Sequence, residues 1–311
     1  MAFDLNEINA AASADPAKFV AECDEKYNAK IEKAASKIIE NLAESPIVLL
    51  SGPSGSGKTT TAMRIRDELK RRGVGSYSVS MDNYFKTVSP KWTPRTESGE
   101  YDLESPLCLD MELMNEHFTM LSQGKTIYVP KYEFARQMRM FEPSISLKLG
   151  KNEVAIFEGI HALNDDITTV HPEAFKLYIS CRANTHDGDE YACKGTWNRL
   201  IRRMVRDDLF RGADPIETMK MWANVRVGEK KYINPFKNKA DIQFDTAFGY
   251  ETCIMRDIVM PLFNEIPEGI GRYEELCTIK PNLEKFVPID MKYLAKDALL
   301  REFVGGGIYE Y

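Results

Sequence analysis

This chain of 311 residues has no long hydrophobic run. Its most apolar stretches, such as Ile47-Val48-Leu49-Leu50, are far shorter than the roughly 20 residues a membrane span requires. The N-terminal MAFDLNEINA lacks the basic start and apolar core of a secretion signal, so the expected compartment is the cytoplasm. Cationic excess is missing as well. Forty-one Lys and Arg stand against 47 Asp and Glu, a net charge of −6, which gives no global attraction to nucleic acid, although a local basic patch could still hold a small polyanion. None of the six cysteines (Cys23, Cys108, Cys181, Cys193, Cys253 and Cys277) forms a CxxC pair, and their spacing fits no zinc pattern. Reduced, mostly buried thiols are the expectation. What remains is an ordinary globular composition, 43% hydrophobic and 28% charged.

Three regions follow from the patterning. Residues 1–45 read as an N-terminal helical extension. Asp15-Pro16 supplies an N-cap and a first-turn proline, after which Val20, Cys23, Tyr27, Ile31, Ala34, Ile38 and Leu42 recur on one face. Residues 46–265 alternate short β-rich runs with helical stretches. The predicted strands are Ile47–Leu50, Ser76–Ser80, Val154–Phe157, Lys176–Ser180 and, more weakly, Ala240–Phe244. The predicted helices are Thr59–Arg72, Leu109–Ser122, Thr196–Phe210 and Tyr250–Phe263. Such alternation implies an α/β fold with a parallel sheet covered on both faces. Thr126–Phe134 and Ser144–Leu149 suggest a small antiparallel flap, and 182–190 a solvated loop. Residues 266–311 read as a C-terminal extension, whose Gly305-Gly306-Gly307 predicts flexibility and a terminal arm.

The segment Gly52-Pro53-Ser54-Gly55-Ser56-Gly57-Lys58-Thr59 fits G-x-x-x-x-G-K-[ST], and Thr60 follows it. It lies between a predicted strand and a predicted helix. Its glycines permit a turn whose amides converge on phosphate oxygens, and the helix start adds partial positive charge. Lys58 can reach the β- and γ-phosphates of a nucleoside triphosphate, and the Thr59 hydroxyl can ligate Mg²⁺. ATP and Mg²⁺ are therefore the predicted cofactors. A transfer reaction also needs a group to take the acceptor's proton. Asp82 and Glu158 each end a predicted strand, where a parallel sheet would set them beside the phosphate loop. Arg199, Arg202, Arg203 and Arg206 share one helical face, with Arg211 just beyond. Asp207 and Asp208 offset only part of that charge, so a bound polyphosphate would relieve the repulsion and a lid around 199–212 is expected to close over it.

Taken together, GPSGSGKTT, VSMDNYF, YDLESP, VPKYEF, VAIFEGIHALN, RLIRRMVRDDLFRG and VRVGEKKYINPFKNKAD resemble the uridine kinase/phosphoribulokinase family of P-loop kinases, in its nucleoside kinase (uridine kinase-like) branch. The resemblance covers roughly Ile47 to Phe263. It implies a P-loop NTPase fold of the nucleoside monophosphate kinase type, with a lid, and transfer of the ATP γ-phosphate to a hydroxyl, that of a nucleoside above all. By resemblance, Asp82 is the catalytic base, and Tyr84 and Phe85 wall the nucleoside site. Glu104 holds sugar hydroxyls, Tyr132 and Phe134 contact the base, and Arg203 reaches the acceptor. Arg206 and Arg211 bind the transferring phosphates, and Glu158 lies near the magnesium. Gln137 stands where uridine–cytidine kinases carry a base-reading histidine, and Met221 where they carry a glutamine. Uridine itself is thus not specified, and another hydroxylated metabolite, such as a sugar phosphate or a pantothenate-like compound, stays open as the acceptor. A nucleotide-dependent switch is the non-enzymatic alternative. Neither nucleic acid nor membrane is an expected partner. Family members often assemble into homo-oligomers, which the resemblance leaves open for this chain, but no interface is legible here.

Overall fold

A computed structural model describes residues 2–310. In chain order its strands are β1 (Ala2–Asp4), β2 (Ile47–Ser51), β3 (Gly75–Ser80), β4 (Ile127–Val129), β5 (Tyr132–Glu133), β6 (Met138–Arg139), β7 (Ile145–Leu147), β8 (Glu153–Glu158), β9 (Phe175–Ser180), β10 (Asn184–Asp187), β11 (Glu190–Cys193) and β12 (Ile242–Asp245). Its helices are α1 (Leu5–Ala14), α2 (Pro16–Asn41), α3 (Lys58–Arg71), α4 (Met111–Ser122), α5 (Asp165–Thr168), α6 (Gly195–Arg206), α7 (Pro215–Gly228), α8 (Glu251–Asn264), α9 (Tyr273–Glu284) and α10 (Arg301–Val304). Two wider π turns, Asp207–Arg211 and Glu229–Ile233, extend α6 and α7.

The central sheet runs β12-β9-β2-β8-β3, and every pair in it is parallel. Its three inner strands are apolar on both faces because helices cover both. Along β2 the burial alternates: Val48 and Leu50 join one apolar cluster, and Ile47 and Leu49 join the other. The first cluster gathers α1, α2, α3, α6, α8 and α9, while the second gathers α4, β4 and β7. The all-parallel arrangement brings the carboxyl ends of β2, β3 and β8 to one edge, and with them Ser51, Ser80 and Glu158.

Asp15 caps α2 as its position suggests, accepting from the Lys18 amide at 3.0 Å. Val20, Tyr27, Ile31, Ala34 and Ile38 are buried along one face of that helix. The Tyr27 hydroxyl lies 2.8 Å from Thr61 Oγ1, and Arg64 donates to Asn28 Oδ1 at 2.6 Å, so α2 packs directly on the helix that follows the phosphate loop.

Two expectations need correction. Residues 182–190 are not a solvated loop. They enter a hairpin, β10–β11, whose first strand pairs in parallel with β1. Gly188-Asp189 turns it, with Gly188 at φ +60°, and Thr185, Ala192 and Cys193 are buried beneath. Nor do the final residues form a free arm: the Ile308 amide donates to the Lys296 carbonyl at 2.9 Å and the Tyr309 hydroxyl to Asp67 at 2.7 Å. Leu299, Leu300 and Phe303 are fully buried, and the Arg301 guanidinium ties the segment together by donating to the carbonyls of Met291, Leu294, Ala295 and Gly305. The glycines are used for conformation, Gly305 and Gly306 both adopting positive φ. The expected flap is present as two small antiparallel pairs, β4–β7 and β5–β6.

Because Ile31 is only 3% exposed within the main cluster, Ile31→Ala should lower stability by about 3 kcal/mol in urea-induced unfolding. A loss under about 1 kcal/mol, or a separate transition, would mark α2 as an appendage.

Candidate functional site

The phosphate loop sits where β2 ends and α3 begins, and its glycines are there for close approach. A Cβ on Gly52 would fall 2.2 Å from the Ile179 carbonyl oxygen, and one on Gly55, at φ +76°, 2.8 Å from that of Arg199. Inside the loop the Ser56 hydroxyl is fully buried and has no hydrogen-bond partner among the described residues. An orphaned donor in a ring of amides suits a phosphate oxygen.

Around Lys58 the charged groups converge as the parallel sheet requires. Burial lowers the Lys58 pKa, opposed by Glu158 and Asp82. Burial raises the Asp82 pKa, opposed by Lys58, Arg211 and Arg206. Glu158 is pushed up to about 7, chiefly by burial. Its Oε1 accepts from Thr59 Oγ1 at 3.4 Å. No cluster of three or more His, Cys, Asp or Glu side chains suited to a metal occurs among the described residues. The Thr59–Glu158 pair nonetheless fits Mg²⁺, which is commonly held by one or two protein oxygens together with phosphate and water.

The arginine helix divides into two parts. Arg199 and Arg202 are buried and do not face an open phosphate site. Arg199 donates to Glu229 at 2.7 Å and to the Ser54 carbonyl at 3.3 Å. Arg202 donates to Glu251 at 2.7 Å, to the Gly55 carbonyl at 3.3 Å and to the Thr246 carbonyl at 2.7 Å. The charge repulsion expected to await a polyphosphate is here relieved by Glu229 and Glu251, some 30 to 50 residues downstream of their partners. The other part remains directed at the loop. Arg203 donates to Ser54 Oγ at 3.0 Å, and the buried Asp207 lies within ion-pair distance of Arg203, Arg206 and Arg211. Arg211 is the most exposed of these three.

On the acceptor side, Phe85, Tyr132 and Phe134 form an aromatic cluster with ring centroids 5.2–6.2 Å apart. Tyr84 does not join it. Its ring is fully buried against Phe157, and its hydroxyl pairs with His117 Nδ1 at 2.9 Å, so it supports the wall from behind. Arg139 clamps this region by donating to Asp110 at 2.8 Å and to the carbonyls of Tyr84 and Phe85. Gln137 occupies a left-handed turn (φ +50°) with its side chain exposed, and Met221 is also exposed. Glu104 packs against Gly228, where a Cβ would lie 2.5 Å from its own. Burial lifts the Glu104 carboxyl to about 7, with Arg203 opposing and Asp102 and Asp82 adding. A surface cavity of about 440 Å³ lined by Lys86, Thr87, Trp92 and Leu107 includes none of these residues.

Several participants have no strong sequence signal. His161 is 1% exposed, and neither ring nitrogen completes a hydrogen bond among the described residues. It lies beside the main chain of Glu104 and Tyr232, and burial lowers its pKa to about 4. Tyr232 donates to Asp102 at 2.8 Å. Glu229, Glu251 and Glu302 belong to no motif that singles them out in the sequence.

The sequence model of the Phosphoribulokinase / Uridine kinase family matches residues 47–248. A uridine kinase of Halobacterium salinarum is 27% identical over 198 residues, covering 62% of this chain and 76% of its own. One from Staphylococcus aureus is 28% identical over 197 residues, covering 63% and 85%. Among solved structures, a D-glycerate 3-kinase from Cryptococcus neoformans aligns with a TM-score of 0.43 at 16% identity, over 67% of this chain and 89% of that one.

The Glu104 environment has a pH consequence. A carboxyl with a folded pKa near 7, above its free value of 4.5, contributes stability that is present below pH 4.5 and lost as pH rises through 7. Glu104→Gln should therefore gain on the wild type as pH rises from 5 to 8, reaching on the order of 2 kcal/mol in chemical denaturation of the ligand-free protein. A difference independent of pH would contradict the assignment.

Proposed function

Since this chain belongs to the phosphoribulokinase/uridine kinase family and is a phosphotransferase with a hydroxyl acceptor, we propose that it transfers the γ-phosphate of ATP to the 5′-hydroxyl of a nucleoside. The observation that carries this reading is the meeting of Asp82, Lys58 and Glu158 at one edge of the sheet, with electrostatic contact among all three. In it, the amides and Ser56 hydroxyl of the phosphate loop grip the donor, and Lys58 balances charge on its β- and γ-phosphates. Asp82 accepts the proton of the acceptor hydroxyl. A carboxylate whose pKa is raised by burial is a stronger base once ionised, and the neighbouring Lys58, Arg211 and Arg206 oppose that rise by favouring its charged form. Thr59 and Glu158 would hold Mg²⁺, which supplies further neutralisation of the transferring group when bound. Arg203, Arg206 and Arg211 face the same phosphates from the lid, and closure there excludes water as a competing acceptor.

The acceptor's shape is read from the far wall. Phe85, Tyr132 and Phe134 offer faces to a planar base, and Glu104 offers a carboxylate to paired hydroxyls. The exposed side chains of Gln137 and Met221 favour a site that does not read uracil in the manner of uridine–cytidine kinases. Among the described residues no helix is long and apolar enough to cross a membrane. All six cysteines are unpaired, which agrees with a reducing compartment such as the cytoplasm.

Asp82→Asn should reduce kcat by a factor on the order of 10³ while leaving ATP affinity within about threefold, as measured by product formation and by calorimetry. Retained turnover would remove Asp82 from its role. A panel of nucleosides, sugar phosphates and pantothenate-like alcohols with ATP, read out by product mass, tests the acceptor. Phosphorylation confined to the non-nucleosides would overturn the nucleoside reading and leave the transferase.

A further inference from the structure

The C-terminal segment lies outside the family match, yet it reaches the phosphate loop. Glu302 is 7% exposed, and its Oε2 accepts from the Thr60 amide at 3.0 Å and from Thr60 Oγ1 at 2.7 Å. Thr60 is in the first turn of α3, where main-chain amides have no helical partner and the helix presents its positive end. In a phosphate loop those amides receive the donor's phosphates. Glu302 thus presents an anion to a donor group that a nucleotide would use.

The rest of the segment is built to keep it there. Leu299 fills the space over Gly57, where a Cβ would lie 2.7 Å from its methyl carbon. Asp297 pairs with Arg64 of α3 at 2.6 Å, and the Tyr309 hydroxyl donates to Asp67 at 2.7 Å. The Arg202 guanidinium, which also holds the Gly55 carbonyl, lies over the Phe303 ring at 5.3 Å. Gly305 abuts Phe210 in the π turn at the lid's end. One short stretch therefore touches the loop, the loop's helix and the lid.

We propose that segment 297–305 is an autoinhibitory strap, in which Glu302 takes the amide and hydroxyl of Thr60 in place of a donor phosphate and must surrender them before a nucleotide seats fully. The proposal rests on the donor reading above. Two anions cannot share these donors, and Glu302 already adds to the negative charge around Lys58 and Glu158. Displacement would also free Phe303 from Arg202 and Gly305 from Phe210, so that the strap's departure is linked to the lid.

The test uses the full chain. Binding of a fluorescent N-methylanthraniloyl-ATP is titrated for the wild type, Glu302→Gln and Lys58→Ala, with and without Mg²⁺. Hydrogen exchange across 297–305 is followed in the wild type on adding ATP. Glu302→Gln keeps an acceptor for the cap but removes the charge, and should bind on the order of tenfold tighter, the size of one charge-assisted hydrogen bond no longer contested. Wild-type 297–305 should lose protection at saturating ATP. Unchanged or weaker binding by Glu302→Gln overturns the strap, as does unchanged or increased protection of the segment in the wild type. If the wild type binds no ATP, or binds it as well after Lys58→Ala, the donor reading itself fails. Loss of binding in Lys58→Ala with no effect in Glu302→Gln removes the strap alone.

Discussion

Everything in the site depends on how a run of backbone amides is held in shape. The phosphate loop has almost no side-chain bulk of its own, and its curvature is imposed from outside. The main external brace is α6, from which Arg199 and Arg202 donate to the carbonyls of Ser54 and Gly55. With those oxygens engaged on one side, the amides are left for the other. A buried guanidinium is tolerated only with a carboxylate to meet it, and Glu229 and Glu251 meet these two. Removing either acid would leave a buried charge with only carbonyls to hold it, and the loop would feel the change before any substrate did.

The same economy explains the division of labour along one helix. Positions a turn apart carry the same residue type and do different work. Arg199 and Arg202 are committed to scaffolding, whereas Arg203 and Arg206 share a single acid, Asp207. Asp207 holds several guanidiniums near the loop without saturating them, which suits groups that must change partners when a phosphate arrives.

How much of this could be read from the residues varies with the range of the interaction. The phosphate loop, the acid that ends β8, Asp82 in the short turn just past β3, and the five central strands are local features, governed by alternation and turn chemistry over a few residues, and they were legible. The Gly188-Asp189 turn is local as well, but the hairpin's strand partner is β1, far away in sequence, so the pairing was not legible and the segment read as a loop. Tyr84 illustrates a different difficulty. Its place after Asp82 suggested the acceptor wall, but the short helical turn that carries Asp82 rotates the next-but-one side chain into the core towards His117. Glu302 gave no signal, since a carboxylate acquires meaning only from the helix end it is folded against.

The Arg139 clamp carries a consequence for variation in the chain. By fastening the β5–β6 hairpin to Asp110 and to the main chain of Tyr84 and Phe85, it makes hairpin and strand end a single mechanical piece. Just past it, Phe141 stands wholly in water. A substitution at that position meets only solvent, so the clamped inner surface keeps its contour while the exposed residue varies.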